Sequence, residues 1–255
     1  MNGLLVAGHM AIAWALGLAL NLAFLDFGPG FERDHPPHSR RIAGLAVGPL
    51  ALLSFLCLAA AYPAWITGLI VAPFAAMATA TSLAWLRGWR PQWRRAVGRD
   101  TAIIGGVSLV VLMLTAGPEQ WDGGIVIGAY CGSAGLLGGL TLMLLIALDS
   151  PPGTPEQPYS IPARSAGVGL GVGALSGLQI LWNMLVQPAV RIAGLGIWLG
   201  LSLLVPALLA LVGLKLYPKL QRPIWSAALL SAVGGQIAIH AVLLAFPGLI
   251  PPAIL

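Results

Sequence analysis

Two histidines, His9 and His240, stand inside long apolar runs of this sequence. An imidazole at membrane depth is costly and points to a role in the site it faces. His9 is about six residues in from Gly3, at one end of the first apolar run. His240 is about six residues in from Phe246, at the end of the last. At 1.5 Å rise per residue both sit roughly 9 Å below the same interface. Gln236 lies one turn from His240, and Gln179, Asn183 and Gln187 recur every four residues, which puts them on one helical face. Trp14 and Trp182 are placed to wall the same volume. Three chemistries fit these types. The histidines can be neutral groups bonded across helices. They can serve a quinone site, with one imidazole bonding a carbonyl and exchanging its proton. Or they can be the axial ligands of a b-type haem, with Arg191 pairing with a propionate. Asn183, Gln236 and Arg191 join the two histidines as candidate contacts, and only in the haem case do His9 and His240 bind a metal. No Asp or Glu lies deep in an apolar run, which argues against a carboxylate proton pump.

Other chemistry-bearing residues read more plainly. Pro36 and Pro37 keep His35 and His38 from sharing a regular helical face, so that segment, with Glu32 and Asp34, is expected to be a solvated loop. Cys57 and Cys131 form no CxxC pair and are expected to be buried packing residues. Arg87, Arg90, Arg94 and Arg95, interleaved with Trp89 and Trp93, read as an interfacial belt for anionic headgroups, with a cytoplasmic partner as the second use. No phosphate-binding loop, nucleophile elbow or zinc motif is present.

The elements that position these residues follow from composition. The 255-residue chain is 58% hydrophobic and 8% charged, with a mean hydropathy of +0.89. Soluble domains carry about 25% charged residues. Uncharged runs of roughly 20 residues match a hydrocarbon core about 30 Å thick, and runs of that length span as helices. The expected fold is an all-α polytopic membrane protein of eight spans: 3–24, 42–61, 65–86, 101–116, 123–148, 165–186, 192–214 and 224–246. Arg87 to Asp100 is expected to be a connection. The first run has no basic segment before it and reads as a retained helix. Every Lys and Arg except Arg191 falls in alternate connections, so those are expected to be cytoplasmic and both termini outside. The net charge of +5 thus reports topology, not nucleic acid.

The text also repeats. Leu25, Asp26, Pro29, Gly30, Arg41, Ala43, Gly44 and Gly48 match Leu148, Asp149, Pro152, Gly153, Arg164, Ala166, Gly167 and Gly171 in one ungapped register. Arg95 matches Arg222, and Gly105, Gly106 and Pro118 match Gly234, Gly235 and Pro247, after a drift of a few residues. This reads as a tandem duplication of a four-helix unit, 1–122 and 123–255, with parallel repeats. The histidines do not correspond: the partner of His9 is Gly132. Glycines at 124, 128 and 132, at 169, 173 and 177, and at 196 and 200 mark close helix contacts. Pro49, Pro73 and Pro206 are expected to kink their spans.

This architecture, with a polar pocket near the outer face, resembles the membrane-anchor subunits of the dimethyl sulfoxide reductase and polysulfide reductase families. The resemblance implies a quinone-interacting, non-catalytic subunit of a respiratory complex in the cytoplasmic membrane, associated with other subunits. The sequence also admits a small-molecule transporter built from the two halves, or a structural assembly subunit.

Overall fold

Apolar runs bounded by prolines, glycines and arginines become helices, and no strand occurs among the described residues. The structure, a computed structural model, describes residues 2–25, 37–116, 123–149, 163–175, 199–215 and 220–245. The helices are α1 (Asn2–Leu25), α2 (Pro37–Ala59), α3 (Ala64–Leu86), α4 (Pro91–Ala116) and α5 (Gly123–Asp149). Then come α6 (residues 163–175), α7 (Leu199–Leu204 continued by Val205–Lys215) and α8 (Gln221–Ala245). Within the described residues α1 to α5 are each long and apolar enough to cross a bilayer. Large apolar side chains such as Leu56, Leu69 and Leu230 point outward, as a surface facing lipid requires. The chain is a multi-pass helical membrane protein.

The core is built around α1 and α5. Their spans are 67% buried within the protein, against 44% for α2, α3 and α4. α1 packs on α2, α4, α5 and α8, and α5 in turn packs on α2, α4 and α8. The two central helices meet backbone to backbone. A Cβ on Gly17 would lie 1.9 Å from the Ala134 carbonyl oxygen, and one on Gly138 would lie 2.2 Å from the Gly17 carbonyl carbon. Glycine is what lets them approach so closely. The stripe on α5 works the same way against α6. A Cβ on Gly132 would meet the Gly173 nitrogen at 2.8 Å, and one on Gly169 would meet the Leu136 nitrogen at 2.4 Å.

The repeated Arg-x-Ala-Gly-x-x-x-Gly text of the first half is a packing device. Gly44 makes room for the Trp85 indole and Gly48 for Ser82 of α3. Ser82 Oγ reaches the Gly44 and Leu45 carbonyls at 2.9 and 3.1 Å, and the Gly48 N–H lies 2.8 Å from the same oxygen. Its counterparts on α6, Gly167 and Gly171, have open space around them among the described residues.

Two of the three expected proline perturbations take one form. Thr67–Val71 in α3 and Leu199–Leu204 in α7 are π-helical, each ending two residues before a proline, Pro73 and Pro206. The wider turn relieves the clash of the proline ring with the preceding turn. In a π turn the Leu201 carbonyl would look to residue 206, which has no N–H; Ser231 Oγ of α8 donates to it at 2.6 Å. Pro49 sits inside a continuous α2.

Three expectations are corrected. α4 begins at Pro91, not Thr101, so Arg94, Arg95 and Arg99 are helical and the connection shrinks to Arg87–Arg90. Proline at a first helical position costs no hydrogen bond, and Gly88 turns the chain there with φ +63°. α2 likewise begins at Pro37, which makes His38, Arg40 and Arg41 helical. Cys131 is exposed on the outer surface of α5, whereas Cys57 is buried.

One end of the bundle gathers the arginines. There Asp149, closing α5, accepts from the Ser39 N–H at 3.0 Å and from Ser39 Oγ at 2.9 Å, capping α2 from another helix. Asn21 Nδ2 of α1 donates to Ser165 Oγ of α6 at 2.9 Å. Arg222 Nε donates to the Ala147 carbonyl at 2.9 Å, satisfying the end of α5.

Candidate functional site

At the opposite, arginine-poor end, α1 carries His9, 1% exposed. Gly8 beside it lets α2 close in, since a Cβ there would lie 2.8 Å from Leu58. α2 ends in a tightened turn, with the Ala61 and Tyr62 N–H groups donating to the Leu58 carbonyl at 3.0 and 2.8 Å. Pro63 prevents continuation, and Tyr62 returns over α1. Its hydroxyl lies 3.3 Å from His9 Nε2, with the two ring centroids 5.8 Å apart. From α5 comes Tyr130, whose ring meets the imidazole edge-on at 5.4 Å and 81°.

One turn along α5 from Tyr130, on the same face, Ser133 meets Gln236 of α8. Ser133 Oγ lies 2.5 Å from Gln236 Oε1 and 2.7 Å from the Ala129 carbonyl. One hydroxyl proton cannot serve both acceptors. Turning the Gln236 amide over satisfies all three groups: its NH2 donates to Ser133 Oγ, which donates to Ala129. Ser133 and Gln236 are both buried.

Burial pushes the Tyr62 hydroxyl up to about 12. The phenol therefore keeps its proton at neutral pH and can donate to His9 Nε2; in the other imidazole tautomer Nε2–H donates to the phenol oxygen. Such a pair can hand a proton along, from phenol to one ring nitrogen while the other ring nitrogen gives one up. It can also offer to a carbonyl whichever of the N–H and O–H donors is not used within the pair.

The arrangement brings together part of what the sequence proposes. His9 is enclosed, and Gln236 joins the same end through Ser133 of α5. His240 belongs to α8, one turn beyond Gln236, but its side chain lies outside the described residues, as do Gln179, Trp182, Asn183, Gln187 and Arg191. Trp14 points elsewhere, donating from Nε1 to Thr141 Oγ1 at 2.8 Å. Tyr62, Tyr130 and Ser133 were not legible as site residues. The aromatic at the Tyr62-Pro63 break reads only as an end signal, and Tyr130 reads as ordinary core. The one clue was the Tyr-x-x-Ser spacing within a stretch of α5, residues 128–135, otherwise made of small residues.

As a haem ligand His9 fits poorly. An axial nitrogen needs a clear space ahead of its lone pair, and Nε2 faces the Tyr62 hydroxyl with Tyr130 against the ring. Among the described residues no three His, Cys, Asp or Glu groups converge.

At the arginine-bearing end the residues expected to form a belt lie at the close of α3 and the start of α4. Arg87, Arg90, Arg95, Trp89 and Trp93 are exposed, and Arg94 stacks its guanidinium 4.4 Å over Trp85. No protein-family model matches the chain, and no curated protein or solved structure matches it.

Proposed function

We propose that this chain is a quinone-binding membrane subunit of a redox assembly, made of eight spans in two four-helix halves. The observation that carries the reading is the buried His9 paired with the half-buried Tyr62, with Tyr130 at the edge of the imidazole. A quinone headgroup needs a donor to its carbonyl, a group that exchanges protons, and aromatic walls. His9 supplies the donor and the exchange, Tyr62 links the imidazole to the interface, and Tyr130 walls the ring. Gln236, through Ser133, gives a second polar contact deeper in the bundle.

The duplication is supported by contacts that cross between halves. α1 reaches α6 through Asn21 and Ser165, and α5 reaches α2 through Asp149 and Ser39. Each central helix packs on both α4 and α8, and the third helix of each half has a π segment before a proline. A transport path along the axis between halves is disfavoured by the backbone contact of Gly17 with Ala134 and Gly138, which fills that axis.

The test is lipid extraction of the purified protein combined with quinone titration and a reduced-minus-oxidised spectrum. Stoichiometric quinone that is lost in His9→Ala and weakened in Tyr62→Phe is the expected result. A b-type α-band abolished by His9→Ala would replace quinone with haem. Neither pigment nor quinone in the wild type, or quinone binding unchanged in both variants, would sink the redox reading. A reporter fused after Leu255 is expected to be on the outer side, opposite the arginines.

A further inference from the structure

The cations of the arginine-bearing end are concentrated on the first half of the chain. The shared arginines have structural counterparts: Arg41 matches Arg164, and Arg95 matches Arg222, which closes the end of α5. Arg40 of α2, Arg90 just before α4, and Arg94 and Arg99 of α4 are not shared. In the same registers Arg40 faces Ala163, Arg90 faces Tyr217 and Arg94 faces Gln221. This comparison rests on the duplication proposed above; the geometry that follows does not.

Three helix ends converge on one indole. Trp85, near the end of α3, is buried with its Cδ1 and Nε1 against Gly44 of α2. Arg40 and Arg41 lie four and three residues before Gly44 and therefore on its face. Over the other side of the indole stands the Arg94 guanidinium, 4.4 Å from the ring. Arg90 immediately precedes the first turn of α4, and Arg87 follows Trp85 at the end of α3. A guanidinium held over an aromatic face is fixed in place and keeps its N–H groups for another partner. The Nε–H of Arg94 is buried and has no hydrogen-bond partner among the described residues. Asp100, the carboxylate on α4, is already engaged by Arg99 at 3.1 Å.

A ligand for this notch must be an anion with several acceptor oxygens, and it must reach a site at the edge of the bilayer. Exposed Trp89 and Trp93 flank it, and indoles settle at the headgroup level. We infer that the notch formed by Arg40, Arg41, Arg90 and Arg94 around Trp85 binds the phosphodiester of one anionic phospholipid. The chains of that lipid lie along the exposed apolar faces of α2 and α3, where Leu52, Leu83 and Leu86 point outward. The site is distinct from the His9 end and works whatever that end binds.

The experiment is native mass spectrometry of the full chain, delipidated in detergent and titrated with phosphatidylglycerol or phosphatidylcholine. The wild type is expected to retain one phosphatidylglycerol in preference to phosphatidylcholine. Arg40→Gln and Arg94→Gln should each weaken that retention about fivefold, the effect of one surface guanidinium on an anionic lipid. Arg99→Gln, on the same helix but paired with Asp100, should leave it unchanged. If Arg94→Gln does not fold, Arg90→Gln carries the test, because Arg90 is exposed and outside the indole stack. Equal retention of the two lipids, or unchanged retention in Arg40→Gln and Arg90→Gln, overturns the inference. So does an equal loss in Arg99→Gln, which would mark a diffuse field. Full displacement by inorganic phosphate would make this a free-anion site. Binding of an acidic peptide in place of the lipid would assign the surface to a protein partner.

Discussion

Gly17 and Ala134 meet so closely that a methyl group on Gly17 would sit 1.9 Å from the Ala134 carbonyl oxygen. The obstacle is backbone on a buried helix, so it cannot swing aside as a side chain would. Gly17→Ala is expected to destabilise the protein by about 1–3 kcal/mol, the usual cost of overpacking. Gly106→Ala, where nothing lies within 4 Å, is expected to be neutral or slightly stabilising because alanine favours the helix. Thermal unfolding of both variants in one detergent checks the pair.

Ser133 and Gln236 predict a non-additive pair. Ser133→Ala removes one hydrogen bond from a buried amide, which costs about 1 kcal/mol. Replacing both, in Ser133→Ala with Gln236→Leu, removes the polar groups together and is expected to recover much of that loss. A double-mutant cycle measured by chemical denaturation decides the matter: strict additivity would mean the two groups do not interact.

Tyr62 predicts a pH dependence with a definite sign. Its folded-state hydroxyl titrates near 12, against about 10 in an unfolded chain. The unfolded state therefore loses this proton first. The stability due to a neutral Tyr62 is fully present below pH of about 10 and is lost as pH rises toward 12. Tyr62→Phe is expected to show a shallower fall in melting temperature over that window, with tyrosinate absorbance read in parallel.

The Asp149 carboxylate caps α2 from the end of α5. Asp149→Asn removes its charge from the helix N-terminus and is expected to cost about 1 kcal/mol, the scale of an N-cap. Hydrogen exchange at the first turn of α2 should rise in that variant and stay unchanged elsewhere on the helix.

Much of this organisation was legible because membrane helices are specified by long uncharged runs and by the residues that break them. The break at Tyr62-Pro63 and the glycine contacts of α5 with α6 were open to direct reading. The start of α4 was not, because Arg94, Arg95 and Arg99 look like loop residues until Pro91 is recognised as a first helical position. His9 stood out by its cost at membrane depth. Its partners did not: a tyrosine at a helix end carries no such cost, and which helix α1 faces depends on long-range packing. The role of Ser82 between Gly44 and Gly48 was hidden for the same reason, since a serine on a helix commonly bonds its own backbone.

The enclosure of α1 has a consequence for how the protein is made. The helix synthesised first among those described is covered on one flank by the one synthesised last, α8. During insertion α1 must wait in lipid, or beside the insertion machinery, with its buried Asn21 and His9 uncovered. Arrival of α5 supplies Tyr130 to His9, and arrival of α6 supplies Ser165 to Asn21. The cover of α1 is therefore completed only when α8 arrives, and a chain stalled before α8 would present a membrane quality-control protease with an unfinished central helix.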